Sequence, residues 1–452
     1  MQNIAIFFLM IITIGFSLRC DRPKPQRPLS AVTHPQWATN KTIYEVNIRQ
    51  YTAEGTIKAF EKHLPRLRAL GVGILWIMPV QPIGEKNRKG NLGSYYSIRD
   101  YTAIHKPYGT LQDFKDLVNR AHAMGMYVIL DWVANHTAWD HHWVQEHPQW
   151  YSKDSTGALV LPNADWTDVV DLNYQNEALH QAMIEEMAFW VNQTDIDGFR
   201  CDVAEMVPIE FWEQARWELN QIKPLFWLAE GQATYLHEKA FDMTYDWKTF
   251  YAMNGIAAGK RTARAIDSIL QEERRLYPET AYRMRFITNH DENSWNGTVF
   301  ERLGDGVKPF AVLMATIPGK PLLYSGQEVG LQKRLRFFAK DTIEWQPNQY
   351  SDLYGKLFNL YQQSPALHKG SYEKMDTSAD EAVYAYVRKY EQETIFVLLN
   401  LTDQRRHVTI DSPYLNQPYT EIFSGIPVRY EEEHTFDLEP WAYRLYVKEY
   451  QP

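Results

Sequence analysis

Cysteine is nearly absent from this sequence, which contains only Cys20 and Cys201 among 452 residues. Cys20 follows an apolar N-terminal run and Cys201 lies inside a strand-like segment, so we predict neither a disulfide nor a cysteine-based metal site. Basic residues are also outnumbered by acidic ones. The sequence has 47 Lys and Arg and 56 Asp and Glu, which gives a net charge of −9. No basic run offers a surface for a polyanion, and we therefore predict no nucleic-acid partner.

The longest hydrophobic run, residues 4–18, is shorter than the roughly 20 residues that a membrane-spanning helix needs. Its length is typical of the core of a secretory signal peptide. Cys20 and a Pro-rich tether follow it, which resembles a bacterial lipoprotein processing site with an acylated Cys20. Two features depart from that pattern: Arg19 stands where a small residue is usual, and the basic residues follow the run instead of preceding it.

We predict that residues 1–30 are a signal or lipoprotein-like segment with a Pro-rich tether. The protein would then be exported and either periplasmic or tethered to a bacterial membrane through a lipid anchor. An uncleaved anchor and a later start codon stay open as alternatives.

From about residue 42, strand-like and helix-like segments alternate along the chain. Short apolar runs such as "GILWIMP" are typical of buried strands, whereas "TIKAFEKHLPRLRALG" and "TLQDFKDLVNRAHAMG" place apolar residues at helical spacing. Eight strand-then-helix units predict parallel βα units and a closed (β/α)₈ TIM barrel over residues 31–369, with a short insertion at about 136–172 after strand 3. An open doubly wound sheet is the alternative, but no glycine-rich phosphate turn follows the first strand.

After residue 369 the pattern changes to short alternating strands. The segments "AVYAYVRKY", "TIFVLLNLT" and "TFDLEPWAYRLYVK" are rich in β-branched and aromatic residues and are separated by polar turns. We predict that residues 370–452 form a C-terminal antiparallel β-sandwich domain.

Charged and polar residues stand where the barrel strands are predicted to end. In a TIM barrel the functional side chains lie at the C-terminal ends of the strands, so these residues would meet at one mouth. The residues at these ends are Asp131, Asn135, His136, Arg200, Asp202, Glu230, His290 and Asp291. Three acids in one cleft repel one another, and Arg200 beside Asp202 would hold that carboxylate ionised.

Paired carboxyl groups at a barrel mouth suit glycoside hydrolysis. A retaining enzyme places two carboxyl groups about 5–5.5 Å apart, one attacking the anomeric carbon and the other protonating the leaving oxygen. Metal-assisted hydrolysis is the competing interpretation of the spacing, with Asp131, His136, Asp202 and His290 as ligands. No compact histidine motif supports it.

Four short motifs resemble the signature regions of the α-amylase family, glycoside hydrolase family 13, and they occur in the family's order. They are "DWVANH" at 131–136, "GFRCD" at 198–202, "LAE" at 228–230 and "ITNHDE" at 287–292. The resemblance extends over about residues 40 to 450 and includes the C-terminal β-domain. One motif alone is a weak signal, but four in order with all three acids present are specific.

The resemblance implies a role for each matching residue. Asp202 would be the nucleophile and Glu230 the general acid/base. Asp291 would be the carboxylate that accepts hydrogen bonds from sugar hydroxyls. The implied substrate-binding residues are Tyr96, His136, Arg200 and His290, with Asp131 as a structural or supporting acid. Tyr96 is chosen over its neighbour Tyr95 by matching "YSIRDY" to the family pattern.

The sequence departs from the family pattern beyond the nucleophile. Many members carry Lys-His three and four residues after it, where this chain has Glu205 and Met206. Contacts to the leaving-group sugar are therefore expected to differ. Asn135 and Asp171 match calcium-binding positions in family members, and their oxygen atoms suit that ion. We expect no cofactor to be required and keep calcium as a candidate ligand.

These observations predict a retaining glycoside hydrolase acting on α-1,4-glucosidic bonds of starch-type glucans or maltooligosaccharides. An α-glucosidase, a glucan transferase or an isomerase would use the same active site, because water access to the glycosyl-enzyme separates these activities. A non-catalytic glucan-binding barrel is the alternative from another class. It is disfavoured because the chain keeps all three acids.

Overall fold

The computed structural model of the chain describes residues 32–430 and 434–448. The predicted export segment and its acylated Cys20 lie outside the described residues. Among the helices of the described part, none is long and apolar enough to cross a bilayer. Cys201 is buried as a free thiol.

Eight parallel strands close into a barrel, which confirms the predicted (β/α)₈ fold. The strands are β1 Ile43–Val46, β2 Ile74–Ile77, β3 Tyr127–Trp132, β4 Gly198–Cys201, β5 Phe226–Ala229, β6 Met243–Tyr245, β7 Tyr282–Arg285 and β8 Lys320–Tyr324. Each strand pairs with the next in the chain, and β8 pairs with β1 to close the cylinder. Seven of the strands are short, at three to five residues, and β1, β2, β4, β5, β6 and β8 are buried along their whole length, as expected for strands covered on both faces.

Helices surround the barrel. They span Ile48–Tyr51, Ile57–Glu61, Leu64–Leu70, Leu111–Ala123, Trp143–Glu146, Glu177–Thr194, Ile209–Leu219, Leu236–Lys239, Trp247–Ala257, Arg264–Leu276, Val299–Leu303, Val307–Thr316, Gln349–Gln363 and Pro365–His368. The segment expected to form one helix after β1 forms two, Ile57–Glu61 and Leu64–Leu70. Pro65 explains the break, because its ring clashes with the carbonyl four residues earlier and it has no N–H to donate.

The insertion between β3 and β4 is a small cap beside the barrel mouth. Its strands His136–Ala138 and Val169–Asp171 pair in antiparallel fashion, with His136 opposite Asp171. Tyr151 and Leu172 add a bridge to this ribbon. The cap therefore begins directly from the end of β3 and carries its side chains towards the mouth.

The C-terminal residues form an antiparallel domain, as predicted. Its strands are β9 Ser371–Met375, β10 Val383–Tyr390, β11 Glu393–Asn400, β12 Arg406–Thr409, β13 Tyr419–Glu421, β14 Pro427–Val428, β15 Thr435–Leu438 and β16 Tyr443–Lys448. Six of them make one sheet in the order β9–β10–β11–β16–β13–β14, and β12 pairs with β15 in a second sheet.

The alternating directions of the side chains along β10 explain how the C-terminal domain packs against the barrel. Tyr384 and Tyr386 join the core of the barrel, whereas Val383, Ala385 and Val387 pack with the second sheet. Because successive side chains of a strand point to opposite faces, one face of the large sheet docks on the barrel and the other forms its own core.

A buried ion pair lies beneath β6, at the end of the barrel away from the mouth. Arg216 binds Asp242 with two hydrogen bonds of 2.8 and 3.0 Å, and Asp242 also accepts the backbone N–H of Trp227 at 2.8 Å. Burial alone would raise the pKa of Asp242, but Arg216 and His34 lower it below its ordinary value. The carboxylate is therefore held ionised in the interior and needs its cation.

Arg216→Met should strongly destabilise the fold, because it leaves the Asp242 carboxylate buried without its cation. We expect the free energy of unfolding in urea to fall by about 3–5 kcal/mol. Arg405→Met is the matched control, since Arg405 pairs with Asp437 at the surface and its loss should change the free energy of unfolding far less. Equal unfolding midpoints for the two variants would contradict the structural role of the buried pair.

Candidate active site

A cleft of about 540 Å³ opens at the C-terminal ends of the barrel strands. Asp202, Glu230 and Asp291 line it together with Tyr96 and His136. Two larger hollows lie between the barrel and the C-terminal domain, but neither of them is lined by the charged strand ends. The residues expected to converge on one mouth are thus brought together.

Arg200 lies at the base of this cleft and is fully buried. Its Nη1 donates to Asp131 Oδ1 at 2.8 Å and to Asp202 Oδ1 at 3.0 Å. Its Nη2 lies 2.8 Å from Glu230 Oε2, an ion-pair contact without hydrogen-bond geometry. One guanidinium therefore compensates three carboxylates, as a buried charge requires.

Local strand geometry produces this arrangement. Arg200 is on β4 and Asp202 follows directly after the strand ends at Cys201, so the two side chains share a face. The register sets Asp131 on β3 opposite Arg200. Glu230 directly follows β5, the other neighbour of β4.

Asp131 and Arg200 support the site from below instead of facing the cleft. Asp131 is fully buried, and its Oδ2 accepts hydrogen bonds from Trp76 Nε1 at 3.0 Å and Tyr96 Oη at 3.1 Å. All its oxygens are thus engaged by protein donors. Tyr96 lines the cleft, whereas its neighbour Tyr95 stacks on the guanidinium of Arg49.

Asp202 and Glu230, which both contact Arg200, have pKa values shifted in opposite directions. Burial and the negative charge of Glu230 raise the pKa of Asp202 well above its usual range. Burial would also raise the pKa of Glu230, but Arg200 and the Val203 N–H, which donates to Oε2 at 2.8 Å, lower it. The expectation that Arg200 holds Asp202 ionised is therefore wrong in its balance of effects, because burial and Glu230 outweigh the guanidinium and raise the pKa of Asp202.

Val203, the residue after Asp202, adopts a strained backbone. Its φ of 37° and ψ of 48° lie in the left-handed region, which a β-branched residue rarely enters. This conformation aims its N–H at Glu230, while the N–H of Ala204 donates to the Glu230 carbonyl at 3.0 Å. The strained residue therefore lies in the turn that positions Glu230.

His290 is held as a cation by carboxylates on two sides. Its Nδ1 lies 2.5 Å from Glu45 Oε1, and its Nε2 lies 3.3 Å from Asp291 Oδ2. Burial alone would lower the pKa of His290, but Asp291 and Glu45 raise it to about 9. Protonated Nε2 then donates to Tyr96 Oη at 2.8 Å, which leaves the tyrosine hydrogen for Asp131.

His136 differs from His290 because no carboxylate accompanies it. Burial lowers its pKa to about 4, so it is neutral at physiological pH. Its Nδ1 accepts a hydrogen bond from Asn135 Nδ2 at 3.2 Å, and the ring of Trp166 lies 5.6 Å away. Of the four tryptophans of the insertion, Trp166 lines the cleft, whereas Trp139 donates to a backbone carbonyl at its edge.

Glu45 and Val203 are functional candidates that sequence reasoning missed. Glu45 lies on β1 in "IYEVNIRQY", where a single acid within an apolar strand is the available signal. For Val203 the sequence contains no signal, since valine does not favour positive φ. Glu205, at a position that departs from the family pattern, accepts the N–H groups of Gln232 and Ala233 at 2.5 and 2.8 Å.

Asn135 and Asp171 were predicted as calcium ligands and lie on adjoining segments, joined by the hydrogen bond from Leu172 N to the Asn135 carbonyl. Calcium takes six to eight oxygen ligands. Within residues 32–430 and 434–448 no group of three or more His, Cys, Asp and Glu side chains is arranged to hold a metal ion. Asn135 and Asp171 alone would supply only part of the oxygen ligands that calcium takes.

Family comparison covers both domains. A model described as "Alpha amylase, catalytic domain" matches residues 36–158 and 147–388, and one described as "Maltogenic Amylase, C-terminal domain" matches residues 373–445. The chain is 27% identical over 399 residues to α-amylase MalA of Haloarcula japonica, covering 83% of this chain and 57% of that protein. It is 25% identical over 452 residues to α-amylase 3 of Dictyoglomus thermophilum, covering 81% and 85%.

Two solved structures share the fold at higher identity. The noncanonic maltogenic α-amylase AmyB of Thermotoga neapolitana superposes with a TM-score of 0.84 at 32% identity, covering 92% of this chain and 100% of that chain. An α-amylase of Lactobacillus plantarum gives a TM-score of 0.82 at 31% identity, covering 91% and 100%.

The contact between Glu45 and His290 predicts a specific titration. His290 should lose its proton near pH 9, measured by NMR of histidine-labelled protein. Because its pKa in the folded state is raised from 6.5, the pair stabilises the fold fully below pH 6.5 and loses this effect as pH rises through 9.

Glu45→Gln should lower the pKa of His290 by roughly one to three pH units, because it removes one of the two nearby negative charges. Asp437→Asn, which removes a carboxylate in the C-terminal domain, is the control and should leave the titration unchanged. A wild-type imidazole that titrates near 6.5 would contradict the charged pair.

Proposed function

Because the chain belongs to the α-amylase family, glycoside hydrolase family 13, we propose that it is a retaining hydrolase of α-1,4-glucosidic bonds in starch-type glucans or maltooligosaccharides. One observation carries this proposal: Asp202 and Glu230 contact the same guanidinium, with Asp291 in the same cleft. Two carboxylates bridged by one guanidinium are close together, as the retaining mechanism requires.

In the proposed reaction Asp202 attacks the anomeric carbon while Glu230 gives its proton to the glycosidic oxygen. The bond to the leaving sugar breaks and a glycosyl ester forms on Asp202. Glu230, now ionised, takes a proton from water, whose oxygen attacks the anomeric carbon and releases Asp202. The proton that leaves with the departing sugar in the first step is replaced from water in the second, so Glu230 is protonated again at the end of the cycle.

Substrate binding must leave Glu230 protonated and Asp202 ionised. In the ligand-free cleft the pKa of Asp202 is raised and that of Glu230 is lowered, whereas the reaction needs the reverse order. A glycosidic oxygen accepts hydrogen bonds but cannot donate one, so its arrival favours protonated Glu230. Ionised Asp202 keeps its hydrogen bond from Arg200.

The remaining cleft residues would bind the sugar at the reacting position. Asp291, the most exposed of the three acids, is placed to accept sugar hydroxyls and to stabilise the positive charge of the oxocarbenium-like transition state. Tyr96 and His136 line the cleft, and the ring of Tyr96 offers a stacking face. His290 acts from behind them, because both its N–H groups are engaged by Glu45 and Tyr96.

Transfer of the glycosyl group to a sugar is the second candidate function. Similarity to an α-1,4-glucan:maltose-1-phosphate maltosyltransferase of Rhodospirillum rubrum, 35% identical over 220 residues, favours it. The match covers 43% of this chain and 31% of that protein. Hydrolysis is preferred because the solved structures at more than 30% identity are named α-amylases.

We further propose that the enzyme requires no cofactor and that residues 1–30 export it, with Cys20 as the site of a lipid anchor. The support for export is the apolar run at 4–18 followed by Cys20. An α-glucan outside the cytoplasm would then be the substrate.

Wild-type enzyme should release reducing sugar from maltoheptaose, with the α-anomer appearing first in the NMR spectrum. Asp202→Asn should lower kcat by about 10⁴-fold or more, because it removes the nucleophile. Its melting temperature should stay close to that of the wild type. A β-anomer as the first product, or a fully active Asp202→Asn variant, would contradict the proposal.

Azide should distinguish the two carboxyl groups, because this anion attacks an anomeric carbon without a general base. Glu230→Ala with an activated α-glucosyl fluoride should give an α-glucosyl azide, by attack on the glycosyl-enzyme. Asp202→Ala should give a β-glucosyl azide, by direct attack from the vacated side. Product configuration is read by NMR, and the reverse pattern would exchange the assigned roles.

A further inference from the structure

One end of the cleft is closed by side chains from three separate segments. Lys89 comes from the loop after β2, Asp168 from the insertion, and Phe338 from the loop after β8; we call these three residues the end wall. Lys89 Nζ donates to the Asp165 carbonyl, lies 3.4 Å from Asp168 Oδ1 and lies 6.0 Å from the centre of the Phe338 ring.

The end wall is anchored to the barrel. Arg49 Nη1 donates to the carbonyls of Gly93 at 3.0 Å and Phe337 at 3.2 Å, and so joins two of the three segments. Leu92 N donates to the Phe338 carbonyl at 3.1 Å. Because these backbone groups are bound to one another, the wall is a fixed part of the mouth.

Two of the three segments of the end wall stand across the mouth from the general acid. They follow β2 and β8, which flank β1 in the closed barrel, whereas Glu230 follows β5, which is four strands away from β1 in either direction. Ring contacts join the active centre to the wall, because Tyr96 lies 6.3 Å from Phe337, and Phe337 lies 5.1 Å from Phe338. Since Glu230 protonates the oxygen of the departing sugar, the wall bounds the side of the retained sugar.

The wall presents unused hydrogen-bonding capacity. Asp168 is 4% exposed, and its Oδ2 has no hydrogen-bond partner among the described residues. A buried carboxylate oxygen without a donor is costly, so a ligand that supplies one is favoured. Lys89 has three N–H donors and uses two in its contacts with Asp165 and Asp168.

A terminal glucose matches this pair of groups. Its free hydroxyls donate to a carboxylate and accept from an ammonium group, whereas an internal glucose carries the next ring where its 4-hydroxyl would be. A further ring would meet the wall. The cleft volume of about 540 Å³ lies in the range of about 300–1,000 Å³ that holds one drug-sized molecule, such as a disaccharide.

Building on the proposed function, we propose that Lys89, Asp168 and Phe338 bind the non-reducing-end glucose of the substrate. The enzyme therefore acts from chain ends and releases short maltooligosaccharides. The recognised chemistry is an unsubstituted terminal glucose of an α-1,4-glucan.

The test compares maltoheptaose with maltoheptaose whose terminal glucose is blocked by a 4,6-O-ethylidene group. Products are separated by chromatography, and kcat/KM is measured for each substrate. Wild-type enzyme should cleave the blocked substrate at least about tenfold less efficiently, the usual scale for one lost or obstructed contact. Early products from free maltoheptaose should be short.

Asp168→Asn and Lys89→Ala should raise KM for the free substrate and bring the ratio of the two kcat/KM values towards one. Lys86→Ala is the matched control, because Lys86 is on the same loop but lies over the Trp139 ring, and its ratio should equal that of the wild type. Circular dichroism checks that each variant is folded. The ratio of the two kcat/KM values for the wild type tests end recognition without any variant.

Equal cleavage of both substrates by the wild type would overturn end recognition while leaving the hydrolase proposal standing. Cleavage of neither substrate would overturn the proposed function, and end recognition with it. A wild-type preference that Asp168→Asn and Lys89→Ala both leave unchanged would remove the end wall from the recognition.

Discussion

The buried guanidinium of Arg200 is the constraint on which the active site depends. It contacts Asp131, Asp202 and Glu230, which come from three adjacent strands or their ends, and no other arginine or lysine reaches these acids among the described residues. Repulsion between carboxylates would otherwise drive the strand ends apart or protonate the acids. The barrel register places this cation between its partners, so the fold and the chemistry share one interaction.

Opposite ends of the barrel use buried charge for different purposes. Beneath β6, Arg216 and Asp242 form a complete bidentate pair, which fixes the fold. At the mouth, the acids outnumber the cations, and Val203 is strained. Incomplete compensation moves the pKa values of Asp202 and Glu230 apart, and paired carboxyl groups with separated pKa values are typical of acid–base sites.

Much of this architecture was predictable from the sequence, because parallel strands bring their C-terminal ends to one mouth. That rule is enough to group Asp202, Glu230 and Asp291 from distant segments. Glu45 was missed because its partner His290 is far away in the sequence, and contacts of that kind leave no local pattern. The strain at Val203 has no signal in residue type, and the end wall arises only when three loops meet.

The central claim is that Asp202, paired with Arg200, forms the covalent bond to the substrate. The most direct measurement uses a 5-fluoro-α-glucosyl fluoride, in which the ring fluorine slows breakdown of the glycosyl-enzyme, followed by mass spectrometry of peptides from the inactivated protein. We expect one added glycosyl group on the peptide containing Asp202. A label on Glu230 or Asp291, or turnover without any covalent adduct, would contradict it.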